Sequence, residues 1–208
     1  MRCLFIDTSL TSVSIAVVED GVIKSIIQED IPNMHSVYAT SFVKKVIDLA
    51  GIDANMIDKI MVVNGPGSFT GLRIGVTIAK TYGYLIKKEI TPVSSLRALA
   101  ISSNHKGVVM SLIPANKSDY YVAIYEGDKT LFEPMCVKGE EVYKLCQKYL
   151  PYVVGVDTSV IGNYKINKVK LDVEKVVEYY LYQDSVNCHK LLPNYLKQPQ
   201  AVLDKMKN

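Results

Sequence analysis

Residues 64–75 read Asn-Gly-Pro-Gly-Ser-Phe-Thr-Gly-Leu-Arg-Ile-Gly, directly after the apolar run Ile60-Met61-Val62-Val63 and at the head of a long apolar segment. A strand that breaks on glycine and proline and reopens as a helix must form a tight β–α corner. Gly65 and Gly67 reach backbone angles closed to other residues, and Pro66 fixes the turn between them. Ser68, Phe69 and Thr70 complete the loop, and the two hydroxyls stand where they can cap the free amides of a helix beginning near Gly71. Such a corner approaches either a phosphate or another stretch of backbone, and the loop alone leaves both open. The familiar phosphate loops do not fit. A Walker loop needs Lys and then Ser or Thr after its last glycine, where Leu72-Arg73 stand, and a dinucleotide loop needs glycine at the place of Thr70.

Around this corner the first half of the chain reads as one lobe. Cys3–Asp7, Val13–Val18 and Val22–Gln28 have the apolar character of strands, the last two joined at Glu19-Asp20-Gly21, whose Asp-Gly favours a hairpin. The periodicity predicts a helix over 36–50, with Ser36 as cap and Gly51 as stop. Tyr38, Phe42, Val43, Val46 and Ile47 share its apolar face, opposite Lys44, Lys45 and Asp48. A strand over 60–64, a helix over 71–87 and a strand over 90–93 follow. The order β-β-β-α-β-α-β matches an α/β, ribonuclease-H-like lobe, the repeating unit of actin, the sugar kinases and the chaperone ATPases. The second half carries strands over 108–113, 120–125 and 152–156 and helices over 140–150 and 172–182, a smaller, reduced second lobe. The expected division is 1–103 and 104–208. Val156-Asp157-Thr158-Ser159 echoes Ile6-Asp7-Thr8-Ser9, too short a match to count as a repeat.

Bulk properties narrow the function classes. A net charge of +3 on 208 residues is too small to imply nucleic-acid binding without a patch, and the lysines at 190, 197, 205 and 207 read first as a solvated tail. Cysteines at 3, 136, 146 and 188 have no metal or redox spacing, so free thiols in a reducing compartment are expected. No secretory leader precedes Asp7 and no segment is long and apolar enough to span a bilayer, so the expected location is the cytoplasm.

The run Gly-Pro-Gly-Ser-Phe-Thr-Gly-Leu-Arg-Ile-Gly closely resembles the signature of the TsaB (YeaZ) family, subunits of the bacterial machinery that makes threonylcarbamoyladenosine in tRNA. Ile6-Asp7-Thr8-Ser9, His35-Ser36, Pro92-Val93-Ser94-Ser95-Leu96 and the tail Pro193-Asn194-Tyr195-Leu196-Lys197 add to the resemblance, which is dense from Arg2 to about Ala100 and thin from there to Cys188. It implies two actin-like lobes and a non-catalytic partner of TsaD, the transferase that modifies the adenosine beside the anticodon. It also implies a TsaE-type ATPase in the same assembly, and ATP or ADP with Mg²⁺ only at the level of that assembly. Contact with tRNA is conceivable through the basic tail. TsaB-like proteins pair through their first-lobe helices, with a second copy or with TsaD. That role falls here on Tyr38, Phe42 and Val46 of the first helix and on Gly71, Arg73, Gly75, Ala79, Tyr82 and Gly83 of the second. One departure stands out: many members carry an acidic and arginine-rich segment where Pro114-Ala115-Asn116-Lys117-Ser118 stands.

The residues also weigh against intrinsic catalysis. Asp7, Thr8 and Ser9 end a strand where this superfamily contacts metal or phosphate, yet the same turn can be closed on itself. The matching stretch of the second lobe, Leu112–Asp119, lacks glycine and has no carboxylate at the strand end, so a free-standing ATPase or kinase is the weaker alternative. A nuclease needs several converging carboxylates, but the strand over 60–64 ends in Asn64. TsaD carries a His-x-x-x-His pair after the strand that follows its glycine-led helix, where this chain has Ser95-Leu96-Arg97-Ala98-Leu99. Gly71, Gly75, Ala79 and Gly83 recur every four residues, a smooth ridge against which another backbone can pack. Whether that backbone is its own or a partner's stays open, and a self-associating homodimer with a divergent role fits as well. On the partner reading, Gly75→Glu or Ala79→Arg breaks pairing and spares the fold.

Overall fold

The computed structural model describes residues 1–31 and 34–197 and holds two sheets. The first is built from β1 (Arg2–Asp7), β2 (Ser12–Glu19), β3 (Val22–Asp30), β4 (Lys59–Gly65) and β5 (Ile90–Ser94), in the order β3-β2-β1-β4-β5. β1 to β3 are antiparallel neighbours, and β4 and β5 add in parallel. Asp20 and Gly21 both take positive φ, 52° and 82°, the backbone an Asp-Gly hairpin turn requires. β1 is central and buried on both faces, so it reads as an unbroken apolar run. Leu4 and Ile6 face α1 (His35–Leu49) and α2 (Phe69–Leu85), whereas Cys3 and Phe5 face the opposite cluster.

The second sheet comprises β6 (Val108–Pro114), β7 (Asp119–Glu126), β8 (Lys129–Lys138), β9 (Tyr152–Gly155), β10 (Ser159–Ile161) and β11 (Tyr164–Lys168), in the order β10-β11-β9-β6-β7-β8. Read from β8, the run β8-β7-β6-β9-β11 repeats the first sheet's plan of three antiparallel strands and two parallel ones. The two ribonuclease-H-like lobes are therefore present, and the reduction of the second falls on its helices. α4 (Gly139–Tyr149) covers one face through Val142, Leu145 and Cys146. The other face meets α3 (Ser95–Ser102), a helix the sequence reading passed over, whose Ala98 serves the first lobe while Leu96 and Leu99 serve the second.

Sheet membership and chain order part company after Leu171. α5 (Val173–Tyr180) packs Val173, Val176, Val177 and Tyr180 against Phe5, Met61 and Val63 of the first sheet. Val186 then bridges Ile90 on the edge of β5, and Cys188 and Leu191 enter the core beneath α1 and α2. The four cysteines are free thiols. Among the described residues no helix is long and apolar enough to cross a membrane.

Candidate functional site

The glycine corner behaves as a backbone-on-backbone contact. Ser68 is the N-cap of α2 and its hydroxyl accepts from the Gly71 amide at 3.2 Å. Thr70 lies inside the first turn, two residues beyond the cap. The opposing backbone is the turn after β1. The Ser68 amide donates to the Ser9 carbonyl (2.8 Å), and the Thr8 hydroxyl donates to the Gly71 carbonyl (2.7 Å). A Cβ on Gly67 would strike the Ser9 carbonyl, and one on Gly71 the Thr8 carbonyl. Gly65 holds φ at +139°, and its Cβ would meet the Asn194 carbonyl of the C-terminal segment. The Gly65–Pro66 peptide is cis, and the Pro66 carbonyl accepts from the Ser95 hydroxyl at the start of α3.

Asp7, Thr8 and Ser9 are all buried. One Asp7 oxygen accepts from both the Ser9 amide (2.8 Å) and the Ser9 hydroxyl (2.7 Å). Burial pushes the carboxyl up to about 6, against the lowering effect of these two bonds. Both hydroxyls that would greet a phosphate are thus spent inside the fold, and this turn by itself does not fit a nucleotide's phosphates. The Val156–Ser159 echo follows β9, the counterpart of β4, whereas the counterpart of β1 is β6. The likeness to the Asp7 turn is coincidental.

A cleft of about 570 Å³ opens between the lobes, lined by Ser9, Phe69, Thr70 and Ile74 on one side and by Ile113 and Tyr121 on the other. His35, in the first turn of α1, lines it too, with its Nε2 atom shielded from solvent and without a partner among the described residues. An adjoining space of about 320 Å³ reaches Asp7, Gln28 and Lys168.

The ridge on α2 faces inward. A Cβ on Gly75 would lie 2.5 Å from the Thr8 hydroxyl, and one on Gly83 would lie 3.0 Å from Ile90. Gly71, Gly75, Ala79, Gly83 and, on α1, Val46 are buried within the first lobe. The small side chains bring α2 down onto β1, β4 and β5, so charge introduced at Gly75 or Ala79 strikes the fold first. Tyr38 and Arg73 remain exposed, and Phe42 and Tyr82 are half-buried. Tyr38 and Phe42 stack at 5.7 Å. Val37 on α1 and Thr77, Thr81, Tyr84 and Leu85 on α2 are exposed as well. The expected Ser36 cap is replaced: α1 starts one residue earlier, and its N-cap, Met34, offers no side-chain bond.

Two polar centres escaped the sequence reading. Arg97 on α3 is buried over the Tyr125 ring (3.7 Å) and donates to the carbonyls of Gly127 and Asp128 and to the Thr130 hydroxyl. Asp119, buried at the start of β7, is held by Lys138 and Lys197 at 2.6 Å each, and these cations keep its carboxyl well below the usual range. Its alternation with Tyr121, Ala123 and Tyr125, which share one cluster, was the available signal.

A family model described as TsaD: tRNA N6-adenosine threonylcarbamoyltransferase matches residues 22–191. The chain belongs to this family. Its sequence is also similar to proteins named tRNA threonylcarbamoyladenosine biosynthesis protein TsaB. The Bacillus subtilis (strain 168) protein is 36% identical over 135 residues, covering 64% of this chain and 58% of the relative. The Escherichia coli (strain K12) protein is 30% identical over 132 residues, covering 62% and 57%. The aligned stretch thus spans less than two thirds of either relative. YeaZ from Pseudomonas aeruginosa superposes with a TM-score of 0.77 at 20% identity, over 94% of this chain and 99% of that one, which shows the fold.

Proposed function

We propose that this chain supports a TsaD-type transferase in the threonylcarbamoylation of tRNA adenosine, and that its part is to dock rather than to catalyse. The observation that carries the docking reading is the outer face of α1 and α2, where Val37, Tyr38, Tyr84 and Leu85 stand exposed beside Arg73 and Thr77. The names of the TsaB relatives and the family match support the reaction. The inward turn of Asp7, Thr8 and Ser9 supports the absence of catalysis. So does α3: at the place the resemblance gives to the histidine pair of TsaD, Ser95 and Arg97 are spent on structural bonds. ATP or ADP with Mg²⁺ belongs on this reading to the assembly, as does a TsaE-type ATPase. Self-pairing uses the same apolar face and competes with the transferase. Of the basic tail on which tRNA contact would rest, Lys205 and Lys207 lie outside the described residues.

The test is binding of the purified chain to a TsaD-type subunit by calorimetry. Tyr38→Glu and Thr77→Arg, both at the surface, are expected to weaken binding at least tenfold while shifting unfolding by no more than about 0.5 kcal/mol. Unchanged affinity in both variants would remove α1 and α2 from the interface.

A further inference from the structure

The segment after α5 touches both lobes. Leu191 is buried in the first lobe's core, and its carbonyl accepts from Lys80 at 3.2 Å. The Asn64 side chain donates to the Leu192 carbonyl (3.1 Å), and the Asn194 amide donates back to the Asn64 carbonyl (2.7 Å). This fastens the segment to the end of β4 just where Gly65, having no side chain, leaves room for Asn194. Tyr195 then lies 4.9 Å from the Phe69 ring, and its hydroxyl accepts from Arg73 at 3.0 Å. One residue later the chain changes lobes. Leu196 packs on the cluster of Ile113 and Tyr121, and Lys197 closes on Asp119 at 2.6 Å.

Phe69 and Ile113 with Tyr121 are facing walls of the large cleft. Residues 194–197 therefore join the two walls from outside the cleft. The connections through α3 are different in kind, because α3 is buried between the sheets and can act as a fulcrum without fixing the opening.

We propose that residues 192–197 are a strap that sets the opening of the interlobe cleft, with Lys197 on Asp119 as its releasable end. Asp119 stays paired with Lys138 and Asn116 when Lys197 leaves, so release does not strand a buried charge. The first-lobe end is fixed by backbone bonds and core burial, whereas the second-lobe end, among the described residues, is one leucine contact and one ion pair. Separation therefore starts at the second lobe.

Amide hydrogen exchange on three forms tests this: the full chain, a chain ending at Lys197, and a chain ending at Tyr195. The chain ending at Lys197 keeps every strap contact described above and is the reference for the shorter one. Ending at Tyr195 should speed exchange at least tenfold on both walls, over 64–70 and over 111–121, and leave the strands β1 and β2 unchanged. Full-length Lys197→Met should do the same to a smaller degree, which keeps the test decisive if the shorter chain does not fold. Faster exchange confined to 115–119 would mean that Lys197 only steadies its own loop, and unchanged exchange on both walls would equally overturn the strap.

Discussion

The glycine residues of the corner are needed for contact between two parts of one chain. Gly75→Ala places a methyl 2.5 Å from the Thr8 hydroxyl, and the displaced side chain loses its bond to the Gly71 carbonyl. We expect a loss of about 1–3 kcal/mol in denaturant unfolding, the range of overpacked cores. Ser111 offers the opposite case. Its hydroxyl is buried mid-strand without a partner among the described residues, so Ser111→Ala should stabilise by about 1 kcal/mol in the same assay. Asp7 gives the fold a pH signature. Its carboxyl titrates near 6 in the fold against an ordinary value of 3.8, so the native state favours the protonated form. That contribution is complete below about pH 4 and fades as pH rises through 6, by on the order of 3 kcal/mol. Asp7→Asn keeps an oxygen for Ser9 and removes the charge. Its stability should pull ahead of the parent's between pH 4 and 7, and parallel curves would show that Asp7 is already comfortable as an anion.

Elements were legible where local pattern and tertiary demand agreed. The first three strands, the glycine corner and the two first-lobe helices carry apolar runs or stripes bounded by strong turn residues, and each appears within two residues of its expected bounds. α3 was missed because it is buried nearly all round: Leu96, Ala98, Leu99 and Ala100 pack with Ser95, Arg97 and Ser102, so no polar face marks a helical period. β8 was missed because its edge position and its Pro134 blur alternation. The direction of the α2 ridge could not be read from spacing, since a glycine every four residues serves a sheet below as well as a helix beside. Contact with β1 decides it. At this scale the exposed strip of α2, Arg73, Thr77, Thr81 and Tyr84, tolerates charge where the buried ridge does not. Thr77→Arg should leave the thermal midpoint in place, whereas Ala79→Arg should abolish folded protein on size exclusion.

At the scale of the whole molecule, two lobes of one plan are joined by a shared helix at the centre and by a strap at the cleft. The tail motif Pro193–Lys197 was visible as a likeness, but its partners, Asn64, Phe69, Arg73 and Asp119, are 78 or more positions away, beyond any local pattern. The polar groups of the phosphate-side turn are turned inward, and an apolar face on α1 and α2 is left outward. On the function proposed above, such a body acts within an assembly. The most direct measurement is tRNA threonylcarbamoylation reconstituted from a TsaD-type transferase and the other purified components, with and without this chain. We expect modification to require the chain, and the chain alone neither to hydrolyse ATP nor to modify tRNA. Modification that proceeds equally well without it, across its soluble concentration range, would contradict the supporting role.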